Sequence, residues 1–321
     1  MEKKLALSLC FDYISFQQTK KMKDENIADR IQTIEEILCS NYQQIENRSL
    51  GTDVNRIPVG FYDYDAITQG LPRGGLIVIG GRPSMGKTSF VLNMGLNVAK
   101  SEDLPVCVFS FGMSKENISN CFLSNELEIP STRLRTSRLQ HDEWRLLGEG
   151  VFSLSQLPIH ISDTPPNSID EIERICRSIK DESIKKNLGL IVFDFDYIQL
   201  LDYLPISDIS NRKEYLWRFA KSLKAMAEEL NVPVIVTSQL SRDIEGRENK
   251  RPRLGDILDF PSLEVYADII TMIYRDEYYD PETEDYGITE IITCKNKNGP
   301  VGTCKLLFEP MFTRFRNLAP D

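Results

Sequence analysis

The sequence predicts an α/β fold in which a mainly parallel sheet is covered by helices and ends in a C-terminal antiparallel hairpin. Two observations carry this prediction. Short apolar segments alternate with longer segments of helical periodicity along most of the chain, and the first of these apolar segments runs into a glycine-rich loop that opens a helix. At 321 residues the chain suits one large α/β domain with an appendage before it.

The glycine-rich loop has the form G-x-x-x-x-G-K-[ST]. Its members are Gly81, Arg82, Pro83, Ser84, Met85, Gly86, Lys87 and Thr88. The apolar run 76–79 before it reads as a buried strand, and 88–99 after it reads as a helix. In that setting backbone N–H groups and the helix N-terminus surround the phosphates, the lysine adds a point charge and the threonine binds Mg²⁺. We therefore expect ATP or another nucleoside triphosphate with Mg²⁺; the alternative is a turn that only starts a helix.

Composition and charge narrow the function. The 48 acidic residues outnumber the 38 basic ones, and the net charge of −10 argues against a general coat of DNA-binding charge but not against a local basic channel. The sequence has no apolar run that would span a bilayer and no signal-peptide cleavage pattern, so we expect a cytoplasmic protein without a membrane partner. The seven scattered cysteines form no C-x-x-C pair, which favours reduced thiols over a zinc site or a disulfide framework.

The first 55 residues are expected to lie outside the main domain. Residues 1–23 are assigned to an N-terminal extension of uncertain role. From Asp24, apolar residues recur at helical spacing through Ile27, Ile31 and Ile34 to Ile45, which predicts a linker helix and a polar tether within 24–55. Because a lone helix must cover its apolar stripe, this one either folds back or docks on a neighbouring subunit, and docking is preferred.

Residues 56–321 are predicted to form the ATPase domain. After the phosphate loop, strands are expected at 106–110, 159–162, 188–193, 233–239 and 269–274, and helical segments at 114–154, 168–180 and 212–230. Two more strands, 288–295 and 303–308, flank a turn and form the hairpin.

Polar side chains stand where two of these strands end, which is where open α/β sheets bind ligands. Asp194 and Asp196 are two residues apart and would face the same way on a continuing strand, so either one is placed to hold Mg²⁺ through water. Gln239 ends a neighbouring strand, where its amide is placed to sense the γ-phosphate. The alternatives are a solvated acidic strand end and a simple loop cap.

Several segments resemble, in order and spacing, the C-terminal motor domain of the DnaB family of replicative helicases. They are 82–88, Asp196-Tyr197-Ile198-Gln199-Leu200, Ser238-Gln239-Leu240-Ser241-Arg242, Lys250-Arg251-Pro252, Tyr274-Arg275-Asp276-Glu277-Tyr278-Tyr279 and Asn298-Gly299-Pro300. The resemblance implies a RecA-like fold and a hexameric ring with ATP between subunits. It also implies single-stranded DNA in the channel and a linker helix packed on the neighbouring subunit.

The resemblance also assigns site residues. Asp196 matches the family context Asp-Tyr-x-Gln and is preferred over Asp194 for the metal. Lys295 and Lys297 match the lysine and the arginine finger that the family directs at a neighbour's γ-phosphate. The five cations before the family's DNA-backbone loop are either a DNA-facing patch or a solvated face. They are Arg242, Arg247, Lys250, Arg251 and Arg253.

Four positions depart from the family. Gly112 replaces the glutamate that polarises the attacking water, and Lys297 replaces the arginine finger, losing its bidentate fork. In the DNA-backbone loop, Leu258 replaces an arginine and Pro261 replaces a glycine whose N–H meets a phosphate. Two hypotheses follow: a working DNA-unwinding motor, or an ATP-binding scaffold or modulator that hydrolyses slowly and joins rings with a full-length helicase relative. The departures favour the second.

Overall fold

The computed structural model describes residues 33–49, 55–110, 112–164, 169–185, 187–194, 212–257 and 261–318. The chain divides into two units, Met1–Asn55 and Arg56–Asp321. In the first unit, helix α1 (Ile34–Ser49) carries exposed apolar side chains at Ile34, Leu38 and Ile45. The other predicted members of the linker stripe, Ile27 and Ile31, lie outside the described residues.

The second unit is built on a nine-stranded sheet, accompanied by a small ribbon of β1 (Arg56–Ile57) and β2 (Leu71–Pro72). In chain order the strands of the sheet are β3 (Leu76–Gly81), β4 (Val106–Ser110), β5 (Ile159–Ser162), β6 (Leu190–Asp194), β7 (Val234–Gln239), β8 (Ile269–Arg275), β9 (Ile288–Asn296), β10 (Gly302–Glu309) and β11 (Arg314–Asn317).

The strand order is β11-β10-β9-β8-β3-β7-β6-β4-β5. Neighbours from β8 to β5 pair in parallel, whereas β9, β10 and β11 add an antiparallel meander to the β8 edge. The predicted parallel strands and the C-terminal hairpin are therefore present. β3 lies between β8 and β7, so the loop that follows it opens near the middle of the sheet.

Helices connect the strands. They are α2 (Tyr62–Thr68), α3 (Lys87–Glu102), α4 (Lys115–Leu127), α5 (Ser131–Arg135), α6 (His141–Ser155), α7 (Ile169–Glu182), α8 (Arg212–Leu230) and α9 (Pro261–Tyr266). The helical segment predicted at 114–154 is thus three helices. α4 ends at Leu127 and is followed by Glu128, whose φ of 54° is left-handed. Pro130 directly precedes α5, and a proline disfavours helical backbone at the residue before it, so α4 and α5 are separate helices. Among the described residues, no helix combines the length and the apolar character needed to cross a membrane.

The core lies on both faces of the sheet. In β3, Ile77 and Ile79 pack into the cluster on the α3 side, while Leu76 and Val78 pack into the cluster on the α8 side. A strand covered on both faces reads as a continuous apolar run, which is why the parallel strands were visible in the sequence. β3 and α3 are both held by this core, so the loop between them has fixed ends.

The last strand, β11, was not predicted. Its sequence Arg-Phe-Arg-Asn has a single apolar residue, Phe315, which stacks on Phe308 at a ring-centroid distance of 4.3 Å. The strand pairs with β10 over Arg314 to Asn317. The strand is stabilised by the packing of Phe315 on Phe308 and by pairing with the edge of β10. Both depend on residues outside 314–317, so these four residues alone did not predict a strand.

Candidate nucleotide site

The phosphate loop is shaped by its second glycine. Gly86 has φ +94°, and a Cβ built there would lie 3.2 Å from ring atoms of Phe308 and Phe315. A larger residue would therefore meet both a strained backbone and a packed aromatic pair. The Phe90 amide donates to the Gly86 carbonyl at 2.9 Å, so the first turn of α3 begins directly after the loop.

Lys87 lies across the loop that it follows. Its Nζ donates to the Gly81 carbonyl at 2.9 Å and contacts the Arg82 carbonyl at 3.4 Å. The ammonium is therefore already within the turn of the loop, where a phosphate bound by the loop amides would lie.

Thr88, in the first turn of α3, contacts Asp194, the last residue of β6. The Thr88 Oγ1 donates to Asp194 Oδ1 at 2.8 Å, and the Ser110 Oγ lies 3.5 Å from Asp194 Oδ2. Asp194 is the last residue of β6 and is buried. A hydroxyl beside a carboxylate is a hard oxygen donor set that suits Mg²⁺. Asp196, the preferred metal residue from the sequence, lies outside the described residues.

Gln239 and Gly112 lie at the same carboxyl edge of the sheet. Gln239 ends β7 directly opposite Gly81 in the parallel register. Gly112 follows β4, whose last residue, Ser110, pairs with Asp194. Gly112 is exposed, and a Cβ built on it would meet no atom within 4 Å. The described residues therefore leave room at position 112 for a larger side chain.

Lys295 and Lys297 lie at the opposite edge of the sheet. β9 runs antiparallel to β8, and Asn296 pairs with Ile269 at the amino end of β8. The Lys295 ammonium donates to the Glu264 carbonyl, and the Lys297 Nζ lies 3.2 Å from Asp268 Oδ1. The structure does not bring these two lysines to the phosphate loop of their own chain.

Asp268 shapes the charge at this amino edge. Burial alone would raise its pKa, but hydrogen bonds from the Lys224 ammonium and the Leu76 amide, with the charge of Lys297, hold the pKa below its ordinary value. Burial, together with repulsion from Lys297, lowers the pKa of Lys295.

We call residues 240–257 the basic loop, since they carry the five predicted DNA-binding cations. Two of these are paired with acids: Arg247 with Asp256 at 2.7 Å, and Arg251 with Glu290 at 2.7 Å. The Glu290 carboxylate raises the pKa of the Arg251 guanidinium.

The other three cations of the basic loop form no ion pair with an acidic side chain of the described residues. Lys250 lies 5.5 Å from the centre of the Tyr279 ring. Arg242 and Arg253 are exposed. The predicted patch is therefore partly neutralised.

Two arginines hold the phosphate loop, and sequence reasoning gave neither of them this role. The guanidinium of Arg82 pairs with Glu245, outside the phosphate loop. On the other flank, the Arg275 NH1 donates to the Ser84 carbonyl at 3.1 Å while the same side chain pairs with Glu277. The Tyr-Arg-Asp-Glu segment indicated the family. The contact of Arg275 with Ser84 joins residues 191 positions apart, so no local sequence pattern predicted it.

The family model of the DnaB-like helicase C terminal domain matches residues 56–317. The chain belongs to this family. This DnaB-like chain is 42% identical over 288 residues to the replicative DNA helicase DnaC of Bacillus subtilis (strain 168), and 41% identical over 288 residues to the replicative DNA helicase DnaB of Geobacillus stearothermophilus. Each match covers 89% of this chain and 62% of the relative, so the chain spans about three fifths of their length.

Solved structures agree with this assignment. The DnaB-like chain superposes on a solved ATPase domain with a TM-score of 0.81 at 34% identity, covering 90% of this chain and 100% of that one. It also superposes on a DnaB-like replicative helicase, described with its interactions with primase, with a TM-score of 0.79 at 32% identity, covering 97% of this chain and 71% of that one. The family resemblance and the RecA-like fold predicted from the sequence are thereby confirmed.

Proposed function

We propose that this chain binds ATP with Mg²⁺ at the phosphate loop and acts in DNA replication as a subunit of a DnaB-like helicase ring. The observation that carries the proposal is the hydrogen bond from Thr88 to Asp194 beside the Lys87 ammonium. These groups supply the three contacts that a Mg²⁺-triphosphate needs: a cation, a hydroxyl ligand and a carboxylate.

Each residue has a distinct part in the proposed site. The amides of the loop and Lys87 hold the phosphates. The Thr88 hydroxyl would bind Mg²⁺, and the Asp194 carboxylate would hold it through water, as Asp196 is also placed to do from the sequence. When bound, the metal neutralises charge that develops on the β- and γ-phosphates. Gln239, at the end of β7, would sense whether the γ-phosphate is present.

Self-association is supported by the position of Lys295 and Lys297. Both lie at the sheet edge opposite their own phosphate loop, so they serve a nucleotide only if that nucleotide belongs to a neighbouring subunit. Release of Lys297 from Asp268 would free the ammonium for this contact. We propose a hexameric ring and a cytoplasmic location, as the family resemblance and the sequence lead us to expect.

Single-stranded DNA is the proposed substrate of the ring. Positive charge on this acidic chain comes from the exposed Arg242 and Arg253 and from Lys250, whose ammonium lies over the Tyr279 ring. Such charge binds the phosphate backbone without regard to sequence.

A second candidate function is an ATP-binding scaffold or modulator that hydrolyses slowly beside a full-length helicase relative. It is favoured by the open, side-chain-free position at Gly112, since general-base help is worth about 10²- to 10⁴-fold in rate.

Steady-state ATP hydrolysis tests the proposal when it is measured with and without single-stranded DNA on protein whose oligomeric state is known from light scattering. DNA-stimulated turnover lost in Lys87→Ala supports the motor. Nucleotide binding by calorimetry with negligible turnover supports the scaffold. Absence of nucleotide binding with Mg²⁺ present rejects both.

A further inference from the structure

Arg82 joins the phosphate loop to the basic loop. The residue is only 8% exposed, and each nitrogen of its guanidinium has a partner. Nε and NH2 donate to Glu245 Oε1 at 3.0 and 2.5 Å, and NH1 donates to the Leu240 carbonyl at 2.8 Å. Both partners belong to the basic loop, at its base and in its first turn.

The basic loop is closed at its base. Leu240 and Ile257 form an antiparallel bridge, and the Ser241 amide donates to the Asp256 carbonyl at 2.7 Å. Arg247 adds a bidentate pair with Asp256 inside the loop. Its two ends are therefore joined, and Glu245 and the exposed cations belong to one closed loop.

The backbone of Arg82 meets the group that a triphosphate would engage. In the structure the Lys87 Nζ contacts the Arg82 carbonyl and donates to the Gly81 carbonyl. When the ammonium turns to a phosphate, both carbonyls lose this donor, and the Arg82 carbonyl is left with the Met85 amide at 3.3 Å. Binding of a nucleotide therefore changes the hydrogen bonds of Arg82, the residue whose side chain pairs with Glu245.

The ion pairs of the two arginines that contact the phosphate loop, Arg275–Glu277 and Arg82–Glu245, differ in how far their carboxylates are buried. The Arg275–Glu277 pair is buried, at 13% and 8% side-chain exposure, and Glu277 also accepts from the Gly287 amide at 2.7 Å. In contrast, the Glu245 side chain is 46% exposed, so water competes for its carboxylate. The carboxylate that pairs with Arg275 is therefore buried, whereas the carboxylate that pairs with Arg82 is open to water.

We propose that Glu245 is a positioning residue that couples the basic loop to the phosphate loop through Arg82. A bound nucleotide changes the stability of the basic loop, and DNA on that loop changes nucleotide affinity by the same factor, since coupling between two binding sites is reciprocal. The inference rests on the proposed nucleotide site and adds to it the path by which that site and the DNA contact communicate.

The test is amide hydrogen exchange measured by mass spectrometry, with and without a non-hydrolysable ATP analogue and Mg²⁺, on the full chain. In the wild type we expect the analogue to protect peptides of the phosphate loop and to change exchange in 241–256 by about fivefold or more, the low end of ordinary coupling. In Glu245→Gln the phosphate loop stays protected, while the change in 241–256 falls to less than about twofold.

The matched control is Glu248→Gln, which removes an exposed acid from the same loop without touching Arg82. It should keep the full response. Unchanged exchange in β3 and β7 shows that the variants fold. Protection of the phosphate loop without any wild-type change in 241–256, or a change that survives Glu245→Gln, overturns the coupling. An equal loss in Glu248→Gln also overturns it. If the analogue protects no peptide of the wild type, the proposed nucleotide site fails instead.

Discussion

The phosphate loop and the positions that would act on the γ-phosphate differ sharply in how they are built. The loop has fixed ends in β3 and α3, a glycine at the turn that requires one, and an arginine clamp on each flank. In contrast, Gly112 offers no side chain, and Lys297 lies at the far edge against Asp268.

This difference separates two demands on a nucleotide site. Holding a triphosphate depends on backbone amides, one cation and one metal position, all of which the fold itself sets. Cleaving it depends in addition on single side chains aimed at the γ-phosphate, which are separate from the groups that hold the triphosphate. A chain of this family is therefore able to keep its binding site while its rate of hydrolysis falls.

The largest expected effect comes from changing the two proposed hydrolytic positions, Gly112 and Lys297, to the residues expected there from the family resemblance. Gly112→Glu with Lys297→Arg should raise ATP turnover by about 10²- to 10⁴-fold, because it returns a water-orienting carboxylate and a bidentate cation. Gly112 has room for the new side chain. The measurement is steady-state phosphate release by the assembled protein.

The control for this variant is Gly148→Glu, which adds the same charge at another exposed glycine with open space around it. Its turnover should match the wild type. If the double variant hydrolyses ATP no faster than this control, these two positions do not limit hydrolysis.

The next largest effect tests binding itself. Lys87→Ala should weaken ATP–Mg²⁺ binding about 10- to 150-fold, since a hydrogen bond to a charged group contributes about 1.5–3 kcal/mol. Titration calorimetry measures the affinity. Lys100→Ala removes a lysine from the far end of the same helix and should bind as the wild type does. Equal affinity in Lys87→Ala and Lys100→Ala would show that the nucleotide binds elsewhere.

The contrast between the two regions also explains what the sequence could foretell. β3, the loop and α3 were predicted because each has a local signal: a run buried on both faces, two spaced glycines and helical periodicity. The apolar parallel strands were predictable for the same reason. β11 was not, because its stability comes from Phe308 and the β10 edge, which lie elsewhere in the sequence.

The site residues follow the same division. From the residues alone Asp194 and Asp196 both stayed open, since the sequence does not fix where β6 ends, and the family resemblance then favoured Asp196. The hydrogen bond to Thr88 depends on the register between β6 and its neighbours and was visible only in three dimensions. The partners of Arg82 are about 160 residues away in the chain, so this clamp had no local signal. Ion pairs that neutralise Arg247 and Arg251 were hidden in the same way.

A smaller effect is expected at the edge that carries Lys297. Asp268→Asn should lower the free energy of unfolding at neutral pH by about 1–3 kcal/mol, because it leaves Lys224 without its buried counter-charge. The pKa of Asp268 is depressed in the folded state, so this stability is present above the unfolded pKa of about 3.9 and is lost as the pH falls through the lower folded value.

Urea unfolding at neutral pH and at pH values below about 4 measures this dependence. The gap between the variant and the wild type should narrow as the pH falls. Asp285→Asn breaks the exposed pair with Lys305 and should cost no more than about 1 kcal/mol. Nucleotide affinity should not change in Asp268→Asn, because Asp268 lies at the amino edge of the sheet, opposite the phosphate loop. A weakened affinity in this variant would join the two regions that the fold separates.

The smallest expected effect separates the exposed cations of the basic loop from the ion-paired ones. Arg242→Gln removes an exposed charge and should weaken single-stranded DNA binding a few-fold, with the slope of log affinity against log salt reduced by about 0.7, the value for one phosphate contact on a single strand. Arg251→Gln should leave that slope unchanged, since Glu290 already neutralises the guanidinium. Fluorescence anisotropy of a labelled oligothymidine across a salt series gives both slopes. If Arg251→Gln lowers the slope as much as Arg242→Gln does, DNA breaks the Arg251–Glu290 pair on binding, and the basic loop rearranges where the phosphate loop does not.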